Sequence, residues 1–202
     1  GHTIIGGLAG DAITTGLGNT VVGQGALGAD TTGRYNVAVG QNALRDQNFT
    51  GSNNVYNTAV GHSAGLSVTT ATGSTLIGGL AGDAITTGSN NTALGNYALS
   101  GTTTGAQNTA LGTQALLNNT TANNNTAVGM NALFANTTGT QNTAVGALAG
   151  DALTTGGDNI AIGYLALSSD TTGQRSVAIG RAALFAQNLS GGALSYNTAI
   201  GY

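Results

Sequence analysis

The chain has no cysteine, no proline and no tryptophan, and its four bases are all arginine while its seven acids are all aspartate. Each absence removes something. Without cysteine there is no disulfide framework, no thiolate metal site and no thiol nucleophile. Helical surfaces draw on Glu and Lys for propensity and for i,i+4 pairing, and a chain of 202 residues with neither is not built from helices. Charged residues make up only 5%, with a net charge of −3 and the arginines scattered, which leaves no electrostatic footprint for nucleic acid. No apolar run approaches the ~18 residues of a membrane-spanning helix, and no signal-peptide pattern is visible. Aromatics are 4%, so the material for one thick core is missing and any core must be thin and repeated.

What is present is Gly, at 35 residues, with Asn, Thr, Ala and Val. Thr and Val suit strands; Gly and Asn suit turns. A disordered, Gly/Asn-rich linker is the other reading of such a composition, but the apolar residues recur too regularly for one. Aligned on the glycine after each apolar pair, the chain gives Gly6, Gly23, Gly40, Gly61, Gly78, Gly95, Gly112, Gly129, Gly146, Gly163, Gly180 and Gly201. The spacing is 17 throughout, except for two steps of 21. The unit reads Asn-Thr-Ala-Val-Gly-x-x-Ala-Leu followed by a polar stretch that often ends Thr-Thr-Gly. Ala43, Ala98, Ala115 and Ala132 illustrate the alanine found three residues after the key glycine in every unit long enough to show it.

Periodicity at this length signals a stack of small supersecondary units. Alternation in Asn108-Thr109-Ala110-Leu111-Gly112 puts Thr109 and Leu111 on one face and Ala110 and Gly112 on the other. A row of Ala and Gly invites close approach by another backbone, and Ala115-Leu116 is expected to open a second short strand. Seventeen residues are too few for a helical hairpin, and Asn-Gly or Asp-Gly hairpin turns never occur. The expected fold is therefore all-β: a parallel β-solenoid or β-roll of stacked 17-residue rungs, forming one repetitive segment over 1–202. Equivalent side chains then form ladders, with the Asn ladder satisfying buried turns. In units where Gly10, Gly82 and Gly150 replace the leucine, apolar volume is expected to move to Leu8, Leu80 and Leu148 and to Ile13, Ile85 and Leu153. Two four-residue insertions, near 45–56 and 185–196, lie 140 residues apart, which implies a super-period of about eight rungs. Neither end has the polar capping unit a solenoid needs, so the chain is expected to be a window on a longer array.

Ser176-Val177-Ala178-Ile179-Gly180 resembles the head repeat of trimeric autotransporter adhesins. Units such as Asn125-Thr126-Ala127-Val128-Gly129 and Asn142-Thr143-Ala144-Val145-Gly146 resemble the related repeats of phage tail fibres and bacterial surface fibres. The resemblance runs over essentially the whole chain. It implies a left-handed β-roll and an obligate homotrimer with the small-residue strand near its axis. It also implies an extracellular, cell-surface or virion location, with a host-surface glycan or protein as a further partner. The adhesin repeat is shorter than this rung, and the extra residues either lengthen a loop or add a third side to the coil.

Catalytic chemistry is thin. Gly23-Gln24-Gly25-Ala26-Leu27-Gly28 matches the dinucleotide pattern G-x-G-x-x-G, but it is one rung's version of the repeat and lacks the βαβ context. His2 and His62 fall at different rung positions, and Asp11, Asp83 and Asp151 recur in separated rungs, so neither set makes a metal or catalytic cluster. No cofactor is expected, and no enzyme activity. The insertions are where the stack departs from its rule: Arg45, Phe49, Asn53 and Tyr56 in the first, and Phe185, Leu189 and Tyr196 in the second. They are either receptor-contacting loops or places where Phe49 and Leu189 fold back as plugs or bury between chains. The expected function is a structural fibre shaft or adhesin stalk. The alternative is a ligand-binding solenoid for ice or glycan, with Thr14-Thr15, Thr86-Thr87 and Thr137-Thr138 recurring in register.

Overall fold

In a computed structural model that describes residues 1–51, 53–189, 191 and 194–202, every repeat contributes one three-residue strand, from β1 (Thr3–Ile5) to β12 (Thr198–Ile200). All twelve form one parallel sheet in sequence order. Each strand pairs with its counterpart in the next rung: β7 (Thr109–Leu111) meets β8 (Thr126–Val128) as Thr109 to Thr126, Ala110 to Ala127 and Leu111 to Val128. The chain is thus a β-solenoid of eleven coils, about 50–55 Å tall at the spacing of neighbouring strands. No α-helix occurs among the described residues.

The middle residue of each strand points inward. Ala110, Ala127 and Ala144 are fully buried, and so are Ala115, Ala132 and Leu116 from the opposite wall. In most rungs the interior holds an alanine facing an alanine beside one leucine; Val21 and Leu76 are the larger residues at the inward strand position. The alanine row therefore packs inside the coil; it is not a surface for another chain, and the residues turned outward are Thr109 and Leu111.

The key glycine turns the corner after each strand. Gly112 has φ +134°, and a Cβ there would lie 2.7 Å from the carbonyl carbon and oxygen of Gly129 in the next rung. Any other residue would be strained and would push two rungs apart. The ladder continues through this corner, with the amide of Gly129 donating to the carbonyl of Leu111 at 2.8 Å.

Past the corner the expected second strand does not form. Leu99, Leu116 and Leu133 all sit at φ of 50–55°, in the left-handed region, although their amides still bond to the next rung, as Leu116 does to Ala132 at 3.0 Å. Three positions per rung take this conformation: two and four residues after the key glycine, and the residue before the Asn that precedes most strands. Val, Ile and Thr are abundant elsewhere and occur at none of them. A branched Cβ is especially costly there, which is why the buried apolar residue of this wall is Leu.

The Asn before each strand is buried and builds the expected ladder. Asn91 Oδ1 accepts from the backbone amide of Asn108 at 3.0 Å, and Asn108 Nδ2 donates to the carbonyl of Ala122 at 2.8 Å. The same pattern passes to Asn125 and Asn142. Backbone groups inside the turns thereby gain partners, and leaving them unpaired would cost about 1–3 kcal/mol each.

The variant rungs redistribute their volume in one direction only. Where Gly10, Gly65, Gly82 or Gly150 replaces the leucine, the residue three later is Ile13, Val68, Ile85 or Leu153; where leucine is kept, it is polar. A Cβ on Gly82 would lie 2.7 Å from Ile85 Cδ1 and 2.9 Å from Leu76 Cδ2, so Ile85 and Leu76 occupy the leucine's space. Leu8, Leu80 and Leu148 do not join this core: Leu8 is 65% exposed and the other two are half-buried, because the position two after the glycine faces outward.

Two outcomes follow from this packing. Gly112→Ala should cost more than about 3 kcal/mol or prevent folding, measured by urea denaturation. Leu99→Gly should cost about 2–4 kcal/mol, and adding Thr102→Ile should recover at least about 1 kcal/mol by copying the Gly82/Ile85 rung; a strictly additive double-mutant cycle would contradict the shared space.

Candidate interaction surfaces

The outward side of the sheet is chemically uniform. Two residues per strand face out, and from β1 to β12 they are Thr, Val, Ile or Leu without one charge. Leu94 is 49% exposed and Ile162 37%. A continuous aliphatic row therefore runs the length of the stack beside a row made mostly of threonine. The Thr-Thr columns elsewhere on the coil differ. Their first hydroxyls are turned to the backbone, Thr86 donating to the carbonyl of Thr103 at 3.1 Å and Thr103 to that of Thr120 at 3.2 Å.

The first insertion lies later than the sequence alignment placed it. Asp46 and Asn48 still donate their amides to Leu66 and Thr69 of the next rung, both at 3.1 Å, so Arg45 to Phe49 hold ordinary rung positions. The coil resumes at Asn54, bridged to Arg34, and at buried Val55. The additional residues are therefore 50–53. In the second insertion the equivalent stretch is 190–193, of which Ser190, Gly192 and Ala193 lie outside the described residues.

Both insertions are tied to the rung below by the same device. Buried Asp30 accepts from Gln47 Nε2 at 2.6 Å and from the amides of Gly33 at 3.0 Å and Phe49 at 3.4 Å. Gln47 Oε1 in turn accepts from Asn57 at 2.9 Å. Asp170 repeats the set with Gln187, Gly173 and Leu189, and Gln187 with Asn197. The two aspartates thus stabilise their own turns through Gly33 and Gly173 and also anchor the loops.

The seven predicted loop residues divide. Phe49 is buried, 7% exposed, though outside the main core cluster, and Leu189 is half-buried. Arg45, Asn53, Tyr56, Phe185 and Tyr196 are exposed. Arg45 is paired with the neighbouring Asp46 at 2.8 Å, and the hydrogen bond to that carboxylate raises its pKa above the ordinary value. Tyr56 stacks on Tyr35, with centroids 5.4 Å apart and planes 11° apart. In the second insertion Arg175 takes the place of Tyr35: it lies 5.6 Å from the centroid of Tyr196 and donates to its hydroxyl at 2.7 Å. Sequence reading missed Tyr35 and Arg175; the signal was there, each lying 21 residues before the tyrosine it meets. It also missed Arg181, held between the rings of Tyr164 and Tyr202 at 5.7 and 5.4 Å.

The repeat positions Gly23, Gly40, Gly61, Gly95, Gly112, Gly129, Gly146, Gly163 and Gly180 all stand at corners with φ between 127° and 144°. His2 occupies the Asn ladder, its Nδ1 accepting from the amide of Asn19 at 3.3 Å, and His62 is exposed in a distant rung. Among the described residues no group of three His, Cys, Asp or Glu lies close enough to hold a metal ion, and no helix is long and apolar enough to cross a membrane.

Asp30→Ala should release the first insertion while leaving the stack folded. Hydrogen exchange at residues 48–53 is expected to rise tenfold or more, about 1.4 kcal/mol of local stability, with the amides of the central strands unchanged; uniform protection in the variant would refute the anchoring role.

Comparison with protein-family models, with curated proteins and with solved structures found no match to this chain.

Proposed function

We propose that the chain is a length of fibre shaft, from a virion or cell-surface fibre, that works as a homotrimer and holds attachment features out from its side. The observation that carries this reading is the uncharged aliphatic face running unbroken along all twelve strands. A stack whose rungs differ little in shape is extended by repetition, and a continuous aliphatic row on such a stack is a seam for parallel copies. The face is about 55 Å long and about 10 Å wide, which gives about 550 Å² per chain. A standard stable interface buries about 800 Å² per partner, so a simple pair falls short. In a trimer each chain serves two neighbours, and added rungs enlarge the contact in proportion. The seam is the Thr/Val face, in place of the alanine row that the adhesin resemblance would put near the axis. The exposed Tyr35, Tyr56 and Tyr196 lie outside the strands, where a host-surface glycan or protein can reach them.

The same face supports a second reading. An uncharged lattice of mostly β-branched side chains, repeating about 4.8 Å along the stack and about 7 Å across it, could order water as an ice-binding surface does.

Sedimentation equilibrium separates the two. The shaft reading expects three chains of 19.5 kDa per particle, dissociating to folded monomers when Val128→Arg and Val145→Arg are combined. A monomeric parent overturns the trimer; thermal hysteresis by that monomer would favour ice binding, and its absence would remove both.

A further inference from the structure

Side chains on a stacked coil stand in columns, one per rung, and a glycine in a column is a gap between its upper and lower neighbours. Two columns, two and five residues after the key glycine, each contain a single glycine in the whole chain: Gly25 and Gly28. Both belong to the same rung, and they are adjacent in space, since a Cβ on Gly28 would lie 3.2 Å from the carbonyl oxygen of Gly25. The paired gaps open a surface cavity of about 430 Å³. This is the segment that matches the dinucleotide pattern, but here it leads into no helix, so it offers no helix N-terminus for a phosphate.

The floor is backbone, and the walls come from the rungs on either side, about 10 Å apart. Leu8 and Asp11 rise from one side; Asn42 and Arg45 close the other. Gln24 and Gln41, joined by a hydrogen bond of 3.3 Å, form the third side. Asp11 differs from its counterparts. Asp83 and Asp151 each accept a serine hydroxyl from the next rung at 2.6 Å, from Ser100 and Ser168. Gly28 stands where that serine would be, so the Asp11 carboxylate faces the cavity without this donor.

The lining selects a chemistry. It offers acceptors from Asp11 and the amide oxygens, donors from Arg45 and the amide nitrogens, and one apolar patch at Leu8, 65% exposed. A pyranose ring fits such a mixture: its vicinal hydroxyls both donate and accept, and its C–H face can lie on an aliphatic side chain. Charge narrows the class. Asp11 carries −1, and the +1 of Arg45 is already balanced by Asp46, with bonds of 2.8 and 3.0 Å. The site is net negative, which disfavours phosphates and acidic sugars.

We propose that this notch is a binding subsite for a neutral hexopyranose unit of a glycan, with Asp11 as the main hydroxyl acceptor. An open site of this kind binds weakly, on the order of millimolar, and repeated presentation on an assembled fibre would raise the avidity. The proposal does not depend on the oligomeric state, so subunit mass and sugar binding fail separately.

The test is saturation-transfer NMR on the full chain with methyl glycosides of glucose, galactose, mannose and N-acetylglucosamine, and with the methyl glycoside of sialic acid as the anionic control. Transfer to at least one neutral glycoside and none to the acidic one is expected. Gly28→Ser should weaken binding tenfold or more without lowering the melting temperature, because serine occupies this position above Asp83 and Asp151. Asp11→Asn, which keeps the shape and removes the charge, should weaken it severalfold. Absence of transfer to every neutral glycoside, binding of the acidic sugar alone, or binding undiminished in both variants would overturn the site.

Discussion

Backbone-to-backbone contact at the corner glycine sets the terms for everything else. At Gly95 an added Cβ would fall 2.5 Å from the carbonyl oxygen of Gly112, and at Gly129 equally close to that of Gly146. Rungs can be this close only if each delivers a glycine to the same place, and this locks the register of all twelve strands. An insertion is therefore tolerated only where it is finished before the next corner. The first does this: its extra residues are 50–53, and the coil is back in step at Val55 and Asn57, in time for the Asn ladder and the strand.

Close stacking also dictates how the interior is made. With room for little more than Ala opposite Ala and one Leu, apolar burial per rung is small, and polar ladders share the work. Asn108, Asn125 and Asn142 each serve the rung before and the turn beyond. A net contribution of about 1 kcal/mol per bond is modest, but the penalty for a missing partner is larger. An interior built this way discriminates against misregister more than it adds stability.

Much of this was legible in the sequence, and the failures have physical causes. The period, the parallel stack, the Asn ladder and the corner glycines could be read because each is imposed once per rung at one place. The strand's two faces could not be ranked, because Ala on one side and Thr with Val on the other both read as half-apolar; only the width of the coil decides that Ala110 goes in and Leu111 out. The false second strand at Ala115-Leu116 came from treating leucine as a strand former. The contrary signal was the absence of Val, Ile and Thr from that column, where φ is positive. Arg45 was assigned to the insertion because a chain so rich in Asn, Thr and Ser gives no letter on which to place a four-residue gap, whereas the hydrogen bonds of Asp46 and Asn48 place it. At the sugar notch the glycines were visible, but as a motif along the chain; that Gly25 and Gly28 remove two teeth from neighbouring columns appears only once the rungs are stacked.

A stack makes residues 17 apart into neighbours, and this explains the scarcity of charge better than composition does. Like charges in successive rungs of one column would be about 4.8 Å apart, repelling by about 1 kcal/mol even in water and more at a protein surface. A repeating acid or base would repeat that cost at every rung. In this chain no column carries the same charge in adjacent rungs. Asp158 is followed by Arg175 at 3.6 Å, Arg181 lies between two tyrosines, and Asp30 and Asp170 are each followed by a glutamine. In the column of Asp11 an uncharged residue separates each charge from the next, Gly28 between Asp11 and Arg45 and Leu66 between Arg45 and Asp83. Uncharged or oppositely charged neighbours in every column thus let the array be extended rung by rung without accumulating repulsion.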